Sequence, residues 1–188
     1  MGLYRYLREL WNRPGDHSGY RELIIELRRQ PATIRVERPT RLDRARSVGY
    51  RAKQGVIVVR QRVSAGGHAT GKPAGGRKTK RATPRVALTK NYQQIAEERS
   101  GRKYPNCEVL NSYLLASDSK HHWFEVILVD RTHPAVIADE RLKTIAKQRG
   151  RAQRGMTSAA RKSRGLRGKG KGYEKSRPSK AANKGRTN

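Results

Sequence analysis

The chain has 188 residues, and its 44 lysine and arginine residues against 15 aspartate and glutamate residues give a formal net charge of +29. Only 34% of the residues are hydrophobic and 6% are aromatic, which limits the chain to one modest core with extensions. The single cysteine, Cys107, excludes an intrachain disulfide and indicates a reducing, intracellular setting, and the apolar runs VIVV and VILV are far shorter than the roughly 20 residues of a membrane span.

Two helices and a strand are predicted first. Leu3, Leu7 and Leu10 recur at helical spacing, and Pro14 ends this helix. A second helix is predicted over residues 20–29, and the alternation in TIRVERP predicts a brief strand. The first residues interleave charged and apolar side chains, so we do not expect a secretory signal there.

A short arginine-rich helix is predicted next, over residues 41–48. Thr40 and Asp43 form a capping-box pattern, and Gly49 offers a C-terminal stop. Because no acid beyond Asp43 offsets the arginines, we interpret this helix as a binding element rather than as a solvated charged face.

The strand predicted over residues 55–63 is apolar where it begins and cationic where it ends. Successive side chains of a strand point to opposite faces, so one face carries Ile57, Val59 and Val63. On the other face, Val56 and Val58 are followed by Arg60 and Arg62, which we expect to contact an anionic partner.

Residues 64–88 are rich in glycine, alanine, lysine and arginine and have no apolar period, so we expect a loop that becomes ordered only against a partner. The sequence GGHATGK in it resembles a phosphate-binding nucleotide loop. Pro73 follows Lys72, however, and supplies neither the hydroxyl group nor the backbone N–H that such a loop needs, so we exclude a nucleotide site. The loop cations expected to bind a partner are Lys72, Arg77, Lys78, Lys80, Arg81 and Arg85.

The second half predicts the rest of the core. A helix over residues 90–102, with Gly101 as its stop, precedes the strands CEVLNSYLL and HWFEVILVD, which form a predicted hairpin. Both strands are apolar on both faces, so we expect a sheet covered on both sides, in part by a helix over residues 139–149. The fold class is therefore α+β, with a mostly antiparallel sheet of about four strands, a body over residues 1–150 and an extended basic tail over residues 151–188.

The charge is concentrated in two segments. Residues 44–96 contain thirteen basic residues and no acidic one, and residues 141–188 contain seventeen basic residues against Glu174 alone. The rest of the chain carries fourteen basic and fourteen acidic residues and is neutral. Because so much positive charge repels itself, we expect an anionic macromolecule, a nucleic acid, to bind the two cationic segments.

Enzymatic and metal-binding functions find little support. The candidate ligands or bases are His121, His122, His133, Asp130 and Cys107, and their spacing matches no zinc or metalloprotease motif. The neighbouring acids Glu97 and Glu98 are interpreted as ion-pair partners of Arg99, Arg102 or the basic strand rather than as an acid and base pair. We therefore expect no cofactor, no metal and no small-molecule substrate.

Four blocks of sequence carry a family resemblance. ERPTRLDRARSVGYRAKQG, LNSY, HWFEVILVD with the nearby HPAV, and MTSAARKSRGLRGKGKG resemble, in the same order, the archaeal and eukaryotic-type large-ribosomal-subunit protein fifteen family. The resemblance covers most of residues 2–172. It implies a cytoplasmic structural protein of the ribosome, with large-subunit ribosomal RNA and neighbouring ribosomal proteins as partners and no membrane association.

The resemblance also implies two sets of RNA-binding residues. The first set is Arg38, Arg41, Arg44, Arg46, Tyr50, Arg51, Lys53 and Gln54. The second set is Arg161, Lys162, Arg164, Lys169 and Lys171, and Arg167 lies among these residues. Tyr50 could stack on a base or fill the edge of the core.

Two alternatives remain at this point. A DNA-compacting protein or general nucleic-acid chaperone would share the charge but would not need two neutral core segments between the cationic ones. An RNA-modifying enzyme would need a cluster of polar catalytic residues that the sequence does not show.

Overall fold

A computed structural model of the chain describes residues 2–69, 75–76, 85–86, 88–168 and 170–173. The strands, in chain order, are β1 (Thr33–Val36), β2 (Val56–Ser64), β3 (His68–Ala69), β4 (Arg85–Val86), β5 (Cys107–Ser117) and β6 (His121–Asp130). The helices are α1 (Leu3–Asn12), α2 (Ser18–Arg29), α3 (Leu42–Ser47), α4 (Tyr92–Lys103), α5 (Pro134–Ile137), α6 (Glu140–Ala146) and α7 (Ser158–Ser163), with a 3₁₀ turn at Pro14–Asp16 between the first two.

Four strands form one antiparallel sheet in the order β1-β2-β6-β5, which confirms the predicted α+β class. The predicted hairpin is β5 and β6, and β6 also pairs along its length with β2, so Ile127 lies opposite Val58. The register between β5 and β6 shifts at two irregularities, one between Val109 and Asn111 and the other between Leu114 and Ala116. The strands β3 and β4 form a separate two-residue ladder within the predicted loop.

Helices cover the sheet on both faces, as the apolar character of β5 and β6 predicts. On one face, Ala96 of α4 packs against Val59 and Val126. On the other face, Ala45 of α3 packs against Val58 and Ile127. The second face is extended by Leu27 of α2, which packs on Trp123, and by Leu142 and Ala146 of α6, which pack on Val129.

The described helices differ from prediction at several ends; α6, for example, ends at Ala146 rather than at residue 149. The capping box is wrong, because the Thr40 hydroxyl donates to Glu125 of the sheet, and the residue at the N-cap of α3 is Arg41. The stop at Gly101 is also wrong, because α4 continues to Lys103. None of the described helices has the length and hydropathy to cross a lipid bilayer.

The first part of the predicted tail is folded in the structure. Residues 158–163 form α7, and Ala152, Thr157, Ala159 and Ala160 are buried. Alanine and threonine are small enough to pack closely, but they do not give the sequence a stripe of large apolar residues at helical spacing. For this reason the sequence predicted an extended segment. The division of the chain at residue 150 stays a prediction, since residues 174–188 lie outside the described part.

Gly55 provides a test of the packing between the arginine-rich segment and α5. Its φ is +81°, and a Cβ atom there would lie 2.7 Å from Val136 Cγ2 and 2.8 Å from His133 Cβ. Gly55→Ala should lower the free energy of unfolding by about 2–4 kcal/mol, since the positive φ and the overpacking both oppose the methyl group. Chemical denaturation followed by circular dichroism measures this loss.

Gly66→Ala is the matched control, because its φ is +104° and nothing lies within 4 Å of the added methyl group. It should cost only the backbone term of about 1–2 kcal/mol. Equal losses for the two variants would contradict the predicted packing at Gly55.

Candidate nucleic-acid interface

The helix α3 has a buried face and a cationic face. Ala45 is fully buried against the sheet, and Tyr50, which follows the helix, is 9% exposed in the same cluster. Arg44 and Arg46 lie on the exposed face. The prediction of an arginine-loaded helix is confirmed over Leu42–Ser47.

Two arginines of this segment also contact aromatic rings of α1. The guanidinium carbon of Arg41 lies 4.8 Å from the centroid of the Trp11 ring, and that of Arg46 lies 5.6 Å from the centroid of the Tyr4 ring. A guanidinium over an aromatic face stabilises by about 0.5–1 kcal/mol at exposed sites. These contacts attach α1 to α3.

Glu125 attaches the arginine-rich segment to the sheet. This residue is fully buried in the centre of β6. Its carboxylate accepts from the backbone N–H of Thr40 at 3.0 Å, from the Thr40 hydroxyl at 2.6 Å and from the hydroxyl of Tyr113. Burial, together with the charge of Glu125, raises the pKa of the Tyr113 hydroxyl, which therefore stays protonated and donates.

Arg60 belongs to this internal network. It is 8% exposed, and its guanidinium lies 3.2 Å from a Glu125 oxygen, 2.8 Å from the Thr40 hydroxyl and 2.7 Å from the side-chain oxygen of Gln30. Arg62, on the same face of β2, is partly buried and donates to the backbone oxygen of Arg28 at 3.0 Å. Arg60 is therefore buried inside the protein, whereas Arg62 remains partly exposed at its surface.

The other predicted residues of this segment divide by exposure. Tyr50 fills the edge of the core, which is one of the two interpretations that the sequence left open. Lys53 is exposed and donates to Asp139 at 2.9 Å, and this hydrogen bond lowers the pKa of the Asp139 carboxyl. The exposed residues are Arg38, Arg44, Arg46, Arg51, Lys53 and Gln54, whereas Arg41 is partly buried.

Of the loop cations, Lys72, Arg77, Lys78, Lys80 and Arg81 lie outside the described residues. The backbone of Arg85 pairs with Ala69 in the short ladder. At the start of the loop, the hydroxyl of Tyr92 contacts both the backbone N–H and the backbone oxygen of Gly66, at 2.8 and 3.2 Å. The loop therefore begins at a point fixed by α4.

Two buried glutamates attach the C-terminal motif to the body. Glu108 of β5 accepts from the backbone N–H groups of Gly150 and Arg151, at 2.7 and 3.1 Å. Glu97 of α4 accepts from the Ser112 hydroxyl at 2.5 Å and from the Thr157 hydroxyl. The glutamates thus determine where the chain turns into α7.

Asn91 adds a third attachment for α7. Its backbone N–H donates to the Ser163 hydroxyl at 3.0 Å, and its side-chain amide donates to the backbone oxygen of Ala159 at 3.0 Å. With Ala159 and Ala160 buried, the opposite side of this helix presents its cations to solvent. The exposed cations of this region are Arg161, Lys162, Arg164, Arg167 and Lys171, whereas Lys169 lies outside the described residues.

The interpretation of the two neighbouring glutamates as partners of Arg99, Arg102 or the basic strand is wrong. Glu97 bonds to hydroxyl groups of β5 and of the segment before α7, while Glu98 accepts from Lys90 at 2.9 Å and from Gln94 at 3.0 Å. Both carboxyls are buried, and Arg99 and Arg102 are exposed. Burial raises the pKa of Glu97 above its ordinary value of 4.5, although the hydrogen bonds from Ser112 and Thr157 act in the opposite direction.

The histidines have structural contacts. The rings of His122 and Tyr92 stack with their centroids 4.5 Å apart, and His133 accepts from the backbone N–H of Ala135 at the start of α5. Within the described part of the chain, no group of three or more His, Cys, Asp or Glu side chains is arranged to bind a metal ion.

Comparison with known proteins identifies the family of the chain. The family model described as Ribosomal L15, of the L15e type, matches residues 2–183. The chain belongs to this family. The resemblance predicted from the sequence is thereby confirmed, and a ribosomal L15e protein is a structural constituent of the ribosome rather than an enzyme.

Two archaeal relatives show how far the L15e similarity extends. The large ribosomal subunit protein eL15 of Methanocorpusculum labreanum is 50% identical over 165 residues, which cover 85% of this chain and 84% of the relative. The protein of the same name from Methanospirillum hungatei JF-1 is 49% identical over an alignment of 191 positions, which covers 98% of this chain and 97% of the relative.

The sequence analysis missed the residues that position the L15e motifs. Glu125, Glu97 and Glu108 were not recognised as attachment points, and neither was Asn91. One signal was available for Glu125, since it is the one charge within the apolar stretch WFEVILV of β6. A charge in a strand that is apolar on both faces indicates a buried partner.

Glu125→Gln tests the attachment of the arginine-rich segment. The substitution should lower the free energy of unfolding by about 3–5 kcal/mol, because it leaves the buried guanidinium of Arg60 without its counter-charge. Urea denaturation measures the loss. Glu9→Gln is the control, since its carboxylate pairs with Arg5 at an exposed site and should contribute no more than about 1 kcal/mol. Similar losses in both variants would contradict the proposed role of Glu125.

The pH dependence of stability tests the burial of Glu97. Because its pKa is raised in the folded state, its favourable contribution is complete below the unfolded pKa and is lost as the pH rises through the folded pKa. Between pH about 4 and about 7, the wild type should therefore lose stability relative to Glu97→Gln. Urea denaturation of both proteins over this range measures the difference.

The contribution of Asp139 to stability should show the opposite pH dependence, which Asp139→Asn tests. The pKa of Asp139 is lowered from its ordinary value of 3.8, so its contribution is present above the unfolded pKa and is lost as the pH falls through the folded one. A stability difference between wild type and Glu97→Gln that is constant with pH would show that Glu97 is not perturbed by burial.

Proposed function

We propose that the chain is a structural constituent of the large ribosomal subunit, a cytoplasmic particle, and that it binds folded ribosomal RNA through two cationic surfaces. The motif surface consists of Arg38, Arg44, Arg46 and Arg51. The C-terminal surface consists of Arg161, Lys162, Arg164, Arg167 and Lys171. Neighbouring ribosomal proteins are further partners, since the relatives are named as proteins of the large subunit.

One observation carries the proposal: the buried charged side chains are nearly all acidic, whereas the arginines of the two motifs are mostly exposed. Among the residues that the structure describes, the buried charged side chains are five acids and one base, namely Asp43, Glu97, Glu98, Glu108, Glu125 and Arg60. The four buried glutamates accept hydrogen bonds from protein donors, so they do not face a polyanion at the surface. The exposed surface is consequently more cationic than the net charge of +29 alone indicates.

The buried acids also reduce the cost of binding. A cationic segment without tertiary contacts loses backbone freedom worth about 1–2 kcal/mol per residue when a partner orders it. The segment around α3 and the segment around α7 are already folded by Glu125 and by Glu97 and Glu108. Their exposed cations therefore start from a backbone that is fixed before RNA binds, which leaves side-chain freedom as the main ordering cost.

Arginine is suited to a folded RNA. A planar guanidinium can donate two parallel hydrogen bonds to a phosphate or stack on an unpaired base, and an ammonium group cannot stack in this way. Four of the six exposed residues of the first predicted RNA-binding set are arginine, and the other two are Lys53 and Gln54. Folded RNA exposes unpaired bases in loops and bulges, whereas a regular DNA duplex does not, which favours ribosomal RNA over a DNA-compacting function.

The loop cations are proposed to bind RNA, whereas the buried strand arginine is not. Lys72, Arg77, Lys78, Lys80, Arg81 and Arg85 are included on their charge and position in the sequence. Arg60 is assigned a supporting function, because its guanidinium is already occupied by Glu125, Thr40 and Gln30. Tyr50 is likewise assigned to the core beneath the motif surface.

Salt dependence tests the C-terminal surface. Each phosphate that a cation neutralises releases a counterion, so the logarithm of the affinity falls linearly with the logarithm of the salt concentration. Replacing Arg161, Lys162 and Arg167 together by alanine should reduce the steepness of this line by about 2 units. Filter binding of the full chain to purified large-subunit RNA over a series of potassium concentrations measures the slope.

The matched control removes three exposed arginines from outside the two cationic segments: Arg21, Arg29 and Arg102. Both triple variants lose the same charge, so a general effect of net charge changes both slopes equally. The proposal requires the first slope to change and the second to stay near the wild type. Equal slopes for the two variants would exclude a specific C-terminal surface.

A further inference from the structure

A cleft of about 740 Å³ lies between α1, α3 and the edge strand β5. Its lining combines arginines, aromatic rings and a buried acid: Arg8, Arg41, Arg44, Trp11, Tyr20 and Asp43. This volume lies within the range of about 300–1,000 Å³ that is typical of small-ligand sites. The cleft is therefore large enough for one nucleoside and too small for a helical duplex.

The aromatic side of the cleft is fixed by its own contacts. The rings of Trp11 and Tyr20 meet edge to face, with centroids 6.4 Å apart and an interplanar angle of 85°. The guanidinium of Arg41 lies over the Trp11 ring. Bases stack on aromatic rings and on guanidinium planes, and this cleft presents both in one place.

Asp43 is the feature that core packing and ion pairing leave unexplained. It is 4% exposed, and within the described part of the chain its Oδ1 atom has no hydrogen-bond partner. The Nε atom of Arg41 is also buried without a partner there, and the Arg41 guanidinium approaches the other Asp43 oxygen only to 3.7 Å. A buried carboxylate oxygen without a donor is costly, so a ligand that supplies an N–H is favoured at this position.

We infer that this cleft binds one unpaired nucleoside of RNA, with an amino group of its base donating to Asp43 and the adjoining phosphates at Arg8 and Arg44. The inference rests on the proposed function and extends it from phosphate contacts to recognition of a base. A phosphate group alone does not fit, because it has no N–H donor and Asp43 repels it. Cytosine offers its amino group to a carboxylate, whereas uracil presents a carbonyl oxygen at the same position.

The charge of the cleft favours RNA over a protein segment. Three arginines against one acid give the lining a net positive charge, which suits a ligand with phosphates on either side of the base. An apolar peptide side chain would cover Asp43 without donating to it. A neighbouring protein is therefore the alternative occupant, and crosslinking to Trp11 would detect it.

Tryptophan fluorescence gives a direct readout. The chain has two tryptophans; Trp123 is 2% exposed in the core, and Trp11 lines the cleft. Hexacytidylate added to the full chain should quench the emission of Trp11 through stacking, and inorganic polyphosphate of similar charge should not. Hexauridylate should bind about fivefold more weakly than hexacytidylate, since it lacks the amino donor.

Two variants complete the experiment. Trp11→Phe should remove the quenching by hexacytidylate, which shows that the signal comes from the cleft and not from Trp123. Asp43→Asn should reduce the preference for cytidine to less than about twofold, because an amide can donate to uracil as well as accept from cytosine. An unfolding temperature of Asp43→Asn within a few degrees of the wild type shows that α3 remains folded. If the variant does not fold, the comparison of hexacytidylate with hexauridylate on the wild type still tests the inference.

The outcomes separate this inference from the proposed function. Quenching by hexacytidylate with the stated preference supports the cleft. If hexacytidylate does not quench the emission, or if polyphosphate quenches it equally, while large-subunit RNA still binds, the inference about the cleft is wrong. The proposed function is then unaffected. Loss of binding to all RNA would overturn both. In purified large subunits, a crosslink from Trp11 to a peptide of another protein, rather than to a nucleotide, would contradict the inference. It would show that a protein occupies the cleft.

Discussion

Buried carboxylates are the constraint on which the two cationic surfaces depend. A carboxylate removed from water is stable only when donors surround it, and here most of those donors come from the segments that carry the cations. Glu125 takes them from Thr40 and Arg60, and Glu108 takes them from the backbone at Gly150 and Arg151. The requirement of each acid for donors therefore fixes a chain segment that has too few apolar side chains to pack by itself.

The elements with a clear period could be predicted from the sequence. The hairpin β5–β6, the strand β2 and the helix α4 each follow from apolar side chains at a spacing of two or of three to four residues. The covering of the sheet on both faces follows from the apolar character of both faces of β6. These features depend on residues close together in the chain, which is the information that a periodic pattern contains.

The attachment of the binding segments could not be predicted in the same way. The hydrogen bond between Thr40 and Glu125 joins residues 85 positions apart, and Thr40 instead suggested a helix cap from its local neighbours. Arg60 lies on the face of β2 that the sequence predicts to be cationic at its end, but it is buried, because Gln30 and Thr40 contact it. For residues 151–168 the buried side chains are alanine and threonine, which leave no apolar stripe, so the sequence indicated a tail.

The positions of α3 and α7 constrain the form of RNA that can contact both surfaces. The helix α3 packs on one face of the sheet, whereas α7 is attached to α4, which packs on the other. A straight duplex lying against one face cannot reach cations presented from both. In the proposed function, the body therefore lies between RNA segments that approach from different directions, as they do only in a folded RNA. The charge-balanced sheet separates the two cationic surfaces, which accounts for the neutral segments that alternate with the cationic ones in the sequence.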